Sequence, residues 1–307
     1  MVTIRNLQKS YGHFRVLDGL DMNVPDGEIY GFLGKNGCGK TTTMNILCNV
    51  IAKDGGDVIL GDENSGEEKR IKIGYLPETP SMFNFMNGYE YLRYIAACCK
   101  YEGNVEARVE EVLDIVGMRE GGKRRIKGYS RGMNQRMGIA AIIFDSPQVL
   151  VLDEPTSALD PEGRADVMNI IRNVSQIGAT IILCTHILSD VEKVAGSVGI
   201  MRNGKMAIEG KISDILMNYA KQEIEVKLYE TDEKSISAIK GLENSSLIEK
   251  VDYYEKTGFF VIRTPEPKTA SQLLIKTFEE NSVVPSQFRT VTESLEEIYL
   301  KVVNGNA

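Results

Sequence analysis

The feature that most constrains this 307-residue chain is one stretch, Gly34-Lys35-Asn36-Gly37-Cys38-Gly39-Lys40-Thr41-Thr42. The run Glu28 to Leu33 before it reads as a buried strand, and Met44 to Cys48 after it reads as a helix. Gly34, Gly37 and Gly39 let the backbone curl so that successive N–H groups face one anion. The N-terminus of the following helix adds partial positive charge. Lys40 is placed to reach the outer phosphates of a nucleotide, and the Thr41 hydroxyl to ligate Mg²⁺. A purely structural glycine turn is the weaker reading, because the whole G-x-x-x-x-G-K-T pattern falls between a strand and a helix.

A phosphate-binding loop of this kind needs acid groups nearby, and the chain supplies them. Val149 to Leu152 is a fully apolar strand that ends in Asp153-Glu154-Pro155. Buried parallel strands present ligand groups at their carboxyl ends. Two adjacent carboxylates there are costly unless they serve a cation or a proton transfer. Asp153 is therefore the Mg²⁺ candidate and Glu154 the candidate base for water. A second apolar strand, Ala179 to Thr185, ends at His186, one of only two histidines. That position beside the phosphate site gives His186 a role in it, whereas His13, after Gly12, reads as loop. Ile71 to Glu78 reads as a strand ending at Pro77, with Glu78 placed to point back at the phosphates. Tyr11, before a turn, offers a ring on which adenine can stack. Tyr129-Ser130-Arg131-Gly132-Met133 opens an apolar helix reaching Phe144, with Ser130 as N-cap, and an open N-cap is also an anion site. Thr156 to Pro161 reads as the start of the next helix.

Composition narrows the class. Hydrophobic residues make up 42% of the chain, as expected of a globular protein, and the length allows two domains. A net charge of -7 argues against nucleic acid as partner. No apolar run approaches the roughly 18 residues that a membrane helix needs, and runs such as Gly138 to Phe144 are core-sized. Met1 to Asn6 lacks the apolar stretch of a signal peptide. These features predict a cytoplasmic protein, able to dock onto something in a membrane. The five cysteines include no C-x-x-C pair, so reduced, mostly buried thiols are expected. Cys38 lies in the loop near a helix N-terminus, where a thiolate is favoured.

Further elements follow from pattern. Thr3 to Leu7 and Asp18 to Val24 read as strands, an opening that suggests an antiparallel β region beside the nucleotide core, and Asp57 to Leu60 reads as a short strand. Met82, Phe83, Phe85, Met86, Tyr89 and Tyr91 form a soft apolar stretch that reads either as core or as an adaptable partner groove. Tyr89 to Lys100 and Val105 to Val116 read as helices, and Lys123 to Arg125 as a solvated basic loop. In the tail, Glu223 to Tyr229 and Phe259 to Ile262 read as strands. Ser235 to Gly241, Ala270 to Glu280 and a final helix carrying Leu295, Ile298, Tyr299 and Val302 on one face complete a small α+β accessory domain without a catalytic constellation. Packing, dimerisation and regulation of ATP turnover are the roles open to it, with dimerisation favoured.

Phosphate loop, Ser-x-Gly helix start, apolar-Asp-Glu-Pro, Ser-Ala-Leu-Asp and Thr-His, in that order, resemble the nucleotide-binding subunit of ABC transporters over roughly Val2 to Gly210. The resemblance implies an α/β fold, a P-loop NTPase core with an antiparallel β subdomain and a helical subdomain at 1–218; the α+β accessory domain read from pattern then takes 219–307. It implies ATP and Mg²⁺ as cofactors and ATP hydrolysis as the reaction. Tyr11 resembles the aromatic that stacks on adenine. Gly34 to Thr42 with Lys40 would hold the β- and γ-phosphates, Thr41 and Asp153 the Mg²⁺. Glu154 resembles the residue that polarises attacking water, and His186 the γ-phosphate clasp. Ser130 and Gly132 would contact the γ-phosphate held by a second copy of the chain or a homologous subunit. Asp160 resembles the loop that communicates across that dimer.

The chain departs from the family pattern at Arg131 and Met133, and at Glu78 where glutamine is usual. Glu78 can still reach Mg²⁺ or water. Both departures resemble a subset of bacterial export-type members. The implied partner is then a separate integral membrane permease, which would hold the chain peripherally at the inner face of the cell membrane. The alternative is a non-transport ABC ATPase acting on a soluble partner such as the ribosome. One phosphate loop, no heptad stretch and an acidic balance disfavour it. A GTPase would need an Asn-Lys-x-Asp motif, which is absent, and a kinase would not explain Ser130 to Met133 together with His186.

Overall fold

The computed structural model describes residues 2–61 and 71–305; Met1, at the head of the segment read for a signal peptide, lies outside them, as do 62–70 and 306–307. The chain divides into two compact units, Met1–Ile212 with Tyr299–Ala307, and Ser213–Ile298. This grouping differs at both ends from a division at 218/219. Ser213 to Asn218 fall with the second unit, and the chain from Tyr299 onward falls with the first.

The first unit begins with β1 (Val2–Tyr11) and β2 (Phe14–Val24), then β3 (Ile29–Gly34) and α1 (Lys40–Leu47). β4 (Gly55–Leu60), β5 (Ile73–Leu76), α2 (Gly88–Cys98), α3 (Val105–Ile115) and α4 (Arg131–Ile143) follow. Then come β6 (Val149–Asp153), α5 (Pro161–Gln176), β7 (Thr180–Cys184), α6 (Leu188–Val194), β8 (Ser197–Arg202) and β9 (Lys205–Lys211). β1 pairs with β2 and with β4 in an antiparallel sheet of order β2-β1-β4. The six-stranded sheet runs β5-β6-β7-β3-β8-β9, parallel from β5 to β8, with β9 antiparallel at its edge.

The order β5-β6-β7-β3 explains why the site forms where it does. β3, β6 and β7 are buried at every position, as apolar strands covered on both faces must be. Each fully buried Leu, Ile or Phe adds about 1.5–3 kcal/mol, so the register of these strands is firmly set. Because the strands are parallel and adjacent, their carboxyl ends bring the phosphate loop, Asp153-Glu154 and Thr185-His186 to one edge. One glycine tightens this edge. A side chain at Gly31 would begin 2.4 Å from Val191 Cγ1, so only glycine lets α6, directly after His186, lie against β3.

Local signals account for the helix starts. Asn87 and Glu90 form a reciprocal capping box on α2. Ser130 caps α4 by accepting from the Met133 N–H at 3.2 Å. α5 begins only at Pro161, with Asp160 as its cap at 3.1 Å from the Gly163 N–H, so Thr156 to Leu159 lie outside the helix. A capping Asp followed by Pro at the first helical position is the favoured arrangement.

The second unit carries β10 (Ala220–Leu228), α8 (Glu233–Lys240), β11 (Lys250–Tyr254), β12 (Phe259–Arg263), α9 (Pro267–Asn281) and β13 (Pro285–Thr292). Its antiparallel sheet has the order β11-β12-β10-β13. Ile224, Val226, Phe260 and Ile262 pack with Leu274 and Phe278 of α9 in a core of its own. α7 (Ile212–Asn218) and α10 (Leu295–Asn304) each straddle a boundary between the units.

Candidate nucleotide site

The loop from Gly34 to Gly39 connects β3 to α1. Gly37 and Gly39 sit at φ +79° and +114°, in the left-handed region that favours glycine. Gly39 is the N-cap of α1 and contributes no side-chain cap, so the first-turn N–H groups have no side-chain acceptor from that position. Lys40 is buried, and its Nζ donates to the Gly34 carbonyl at 2.6 Å and the Lys35 carbonyl at 3.4 Å. These bonds hold the ammonium inside the ring of the loop.

Across from it, the Thr41 hydroxyl donates to Asp153 Oδ2 at 3.0 Å. Asp153 is 4% exposed. Burial lifts its pKa above the ordinary value; Glu154 and Glu78 add to the rise, while Thr41 and Lys40 oppose it. A buried carboxylate that resists ionisation gains most from a cation beside it.

Glu154 stands at φ +50°, an unusual conformation for a residue other than glycine, and one that costs about 1–2 kcal/mol. The sheet holds it there, since its N–H donates to the Cys184 carbonyl at 2.8 Å. Its Oε2 accepts from Thr185 Oγ1 at 3.3 Å and meets His186 Nδ1 at 2.9 Å. With a carboxylate as acceptor, the imidazole proton lies on Nδ1, and Nε2 remains for another contact.

A cavity of about 440 Å³ gathers Asn36, Gly37, Gly39, Lys40, Thr41, Thr42, Glu78, Asp153, Glu154 and His186. Val16 of β2 joins them, a residue that sequence reading passed over. Tyr11 is not among these lining residues; it is half exposed, with the Lys9 ammonium 5.4 Å from its ring centre. Ser130, Gly132 and Asp160 line a different cavity of about 410 Å³, with Arg131, Arg136 and Leu159. A single chain therefore separates these three from the phosphate loop.

Two further expectations change. Cys38 was expected to favour the thiolate, but burial raises its pKa and outweighs the opposing effect of Lys40. Nor are the thiols mostly buried: Cys184 is, Cys98 is exposed, and Cys38, Cys48 and Cys99 are intermediate. Cys48 is pushed up to about 12 by burial, with Asp153 adding to the shift. The apolar stretch after β5 is largely surface, since Phe83 is 41% and Phe85 64% exposed, and only Tyr91 of its aromatics is buried. Phe83 packs on Phe85 and on Tyr94 of α2, with ring centres 5.6 and 5.1 Å apart.

Sequence reading also missed a supporting network. Asp190 of α6, 1% exposed, accepts from Thr156 Oγ1 at 2.8 Å and from Arg164 Nε at 2.8 Å. It ties the turn after Glu154 to the helix after His186. The available signal was an acidic residue in the first turn of the short helix that follows Thr-His. Gln135, buried in α4, donates to the Glu78 carbonyl at 2.9 Å and so links the Ser130 helix to the loop bearing Glu78. Its signal was one uncharged amide among the apolar positions of α4.

Comparison with known proteins agrees with this geometry. Residues 17–157 match the ABC transporter family. The chain is 33% identical, over 99% of its length and 100% of the relative, to the ABC transporter ATP-binding protein YxlF of Bacillus subtilis (strain 168). It is 32% identical, over 99% of its length and 97% of the relative, to the bacitracin transport ATP-binding protein BcrA of Enterococcus faecalis. A solved ATP-binding subunit of an ABC transporter superposes with a TM-score of 0.62 at 25% identity, covering 71% of this chain and 93% of that one. The chain belongs to the ABC transporter family, as an ATP-binding subunit of the bacterial type.

Proposed function

We propose that the chain hydrolyses ATP to ADP and phosphate with Mg²⁺, as one half of an ATP-sandwich dimer that drives a separate membrane permease in export. The observation that supports this most is the single cavity gathering Lys40, Thr41, Asp153, Glu154 and His186 at the ends of three parallel strands.

The loop N–H groups and Lys40 bind the β- and γ-phosphates, and His186 Nε2 faces the γ-phosphate. The Glu154 carboxylate orients the attacking water and takes up its proton, with His186 and Thr185 holding that carboxylate in place. Thr41, Asp153 and Glu78 are hard oxygen donors of the kind that suits Mg²⁺. The cation, when bound, neutralises phosphate charge as the bond to the leaving group breaks. Ser130 and Gly132, at the capped start of α4, supply donors to the γ-phosphate held by the second copy. Asp160 borders the same cavity and carries the contact between copies. Tyr11, exposed at the end of β1, is the stacking surface for adenine.

Among the described residues no helix is long and apolar enough to cross a membrane; on this reading the permease is a separate chain. The exposed cluster of Phe83, Phe85 and Tyr94 is the docking surface for it. The similarity to a bacitracin transport ATP-binding protein supports antibiotic peptides as the class of cargo. Mg²⁺-dependent phosphate release by the purified chain tests the chemistry. Co-purification of the tagged chain from detergent-solubilised native membranes tests the partner: a stoichiometric multi-spanning protein supports the transport reading, and recovery with ribosomes or alone in the soluble fraction ends it.

A further inference from the structure

The last turns of the chain make contacts that the ATP chemistry does not use. Residues from Tyr299 onward group with the nucleotide-binding unit. Arg202, at the end of β8, donates through its guanidinium to the Val302 carbonyl at 3.1 Å. β8 pairs with β3 so that Met201 lies opposite Gly34, which puts this anchor at the base of the phosphate loop. Lys35, within that loop, donates from Nζ to Asn304 Oδ1 at 3.3 Å.

The helix ends on Gly305 at φ +85°, and a Cβ there would begin 2.7 Å from Arg202. Glycine therefore permits this close approach of the chain end to the anchor. Val302 and Val303 are buried, so the segment is packed. Burial raises the Tyr299 phenol, and the Cys38 and Glu154 groups raise it further. Tyr299 and Asn304 are about 7.5 Å apart along a helix. The tail thus meets the base of the phosphate loop at Arg202 and its rim at Lys35.

We propose that the tail, Tyr299 to Gly305, is a brake in cis: it clasps the rim against which a second copy of this chain must close, and it is displaced when two copies close over ATP. This rests on the ATP-sandwich reading above. Lys35 and Asn304 are both exposed, so their bond is weak and readily exchanged. Any contact made only in the open state lowers the closed population by the same factor as it stabilises the open one.

The test is sedimentation equilibrium of the full chain with ATP and Mg²⁺ in a Glu154→Gln background, which slows turnover. Asn304→Ala removes the acceptor and is expected to tighten ATP-dependent dimerisation about threefold. Asn304→Asp adds a charge opposite Lys35 and is expected to weaken it by about the same factor, with the shift shrinking at high salt. Both changes are at an exposed position, so the fold is kept. If both variants weaken the dimer, the tail is a strut and the brake is overturned. A dimer indifferent to residue 304 also overturns it. No ATP-dependent dimer in any of the three chains, with ATP still bound, sinks the sandwich reading and the brake with it.

Discussion

The two cavities of the nucleotide-binding unit differ in what they hold. The first collects carboxylates, a buried lysine, a histidine and a glycine-rich loop: everything that acts on a phosphate and on water. The second holds the capping hydroxyl of Ser130, Gly132 and the cations Arg131 and Arg136, together with the carboxylates Asp160, Glu162 and Asp166. On the proposed reading the first lacks only groups that neutralise the far side of a triphosphate. The second offers Arg131, Arg136 and the Ser130 cap and has no phosphate loop. On the proposed reading each is half of a site, and the turn from Thr156 to Asp160 joins them along the chain.

The comparison is broken most sharply at Glu154. Glu154→Gln is expected to cut turnover about 10³-fold while ATP binding stays near normal, as read by phosphate release and nucleotide titration. Turnover within tenfold of the parent would remove the base from the first cavity.

The join between the cavities is the next place to press. Asp190→Ala leaves Arg164 and Thr156 without their shared acceptor. Breaking a buried pair of this kind is expected to lower stability by about 3 kcal/mol, visible as a fall in the thermal midpoint. An unchanged midpoint would mean that the turn is held by other contacts.

Ser130→Ala probes the second cavity alone. It removes the cap on α4 at a cost of about 1 kcal/mol. Turnover is expected to fall while ATP binding by the isolated chain does not. Loss of binding in a single chain would place Ser130 in the first cavity after all.

The smallest effect is electrostatic. Burial raises the Asp153 pKa, so the folded chain keeps this proton at pH values where the unfolded chain has lost it. Stability therefore falls as pH rises from the ordinary carboxylate range through the raised value, and levels above it. A proton also competes with a cation, so Mg²⁺-dependent turnover falls as pH drops into the same window. Asp153→Asn is expected to flatten the stability profile without nucleotide. A profile identical to the parent would place the titration elsewhere.

Residues whose placement is set by backbone demand or by position at a strand end were legible in the sequence. The loop glycines, Lys40, Thr41, Asp153, Glu154 and His186 are of this kind, because a parallel sheet has one ligand edge and apolar runs announce its strands. β8 and β9 were missed because Gly199 and Met201 interrupt the β-branched pattern, and β9 alternates too weakly. β13 opens on Pro285 and is mostly polar. Cys38 was misjudged because burial, which sequence does not state, overrides the helix terminus. Asp190 and Gln135 depend on partners that lie far along the chain, and no local pattern names such a partner. The Asp160-Pro161 start of α5 was readable and was placed too early.

The closing turn of α10 has a practical side. Gly305 lies against Arg202, and Asn304 bonds to Lys35 of the phosphate loop. A label or affinity group attached at this turn would therefore bear on Lys35 and through it on the phosphate loop. Affinities measured with it in place would describe the label as much as the protein, and a group removed before assay keeps the measurement on the protein itself.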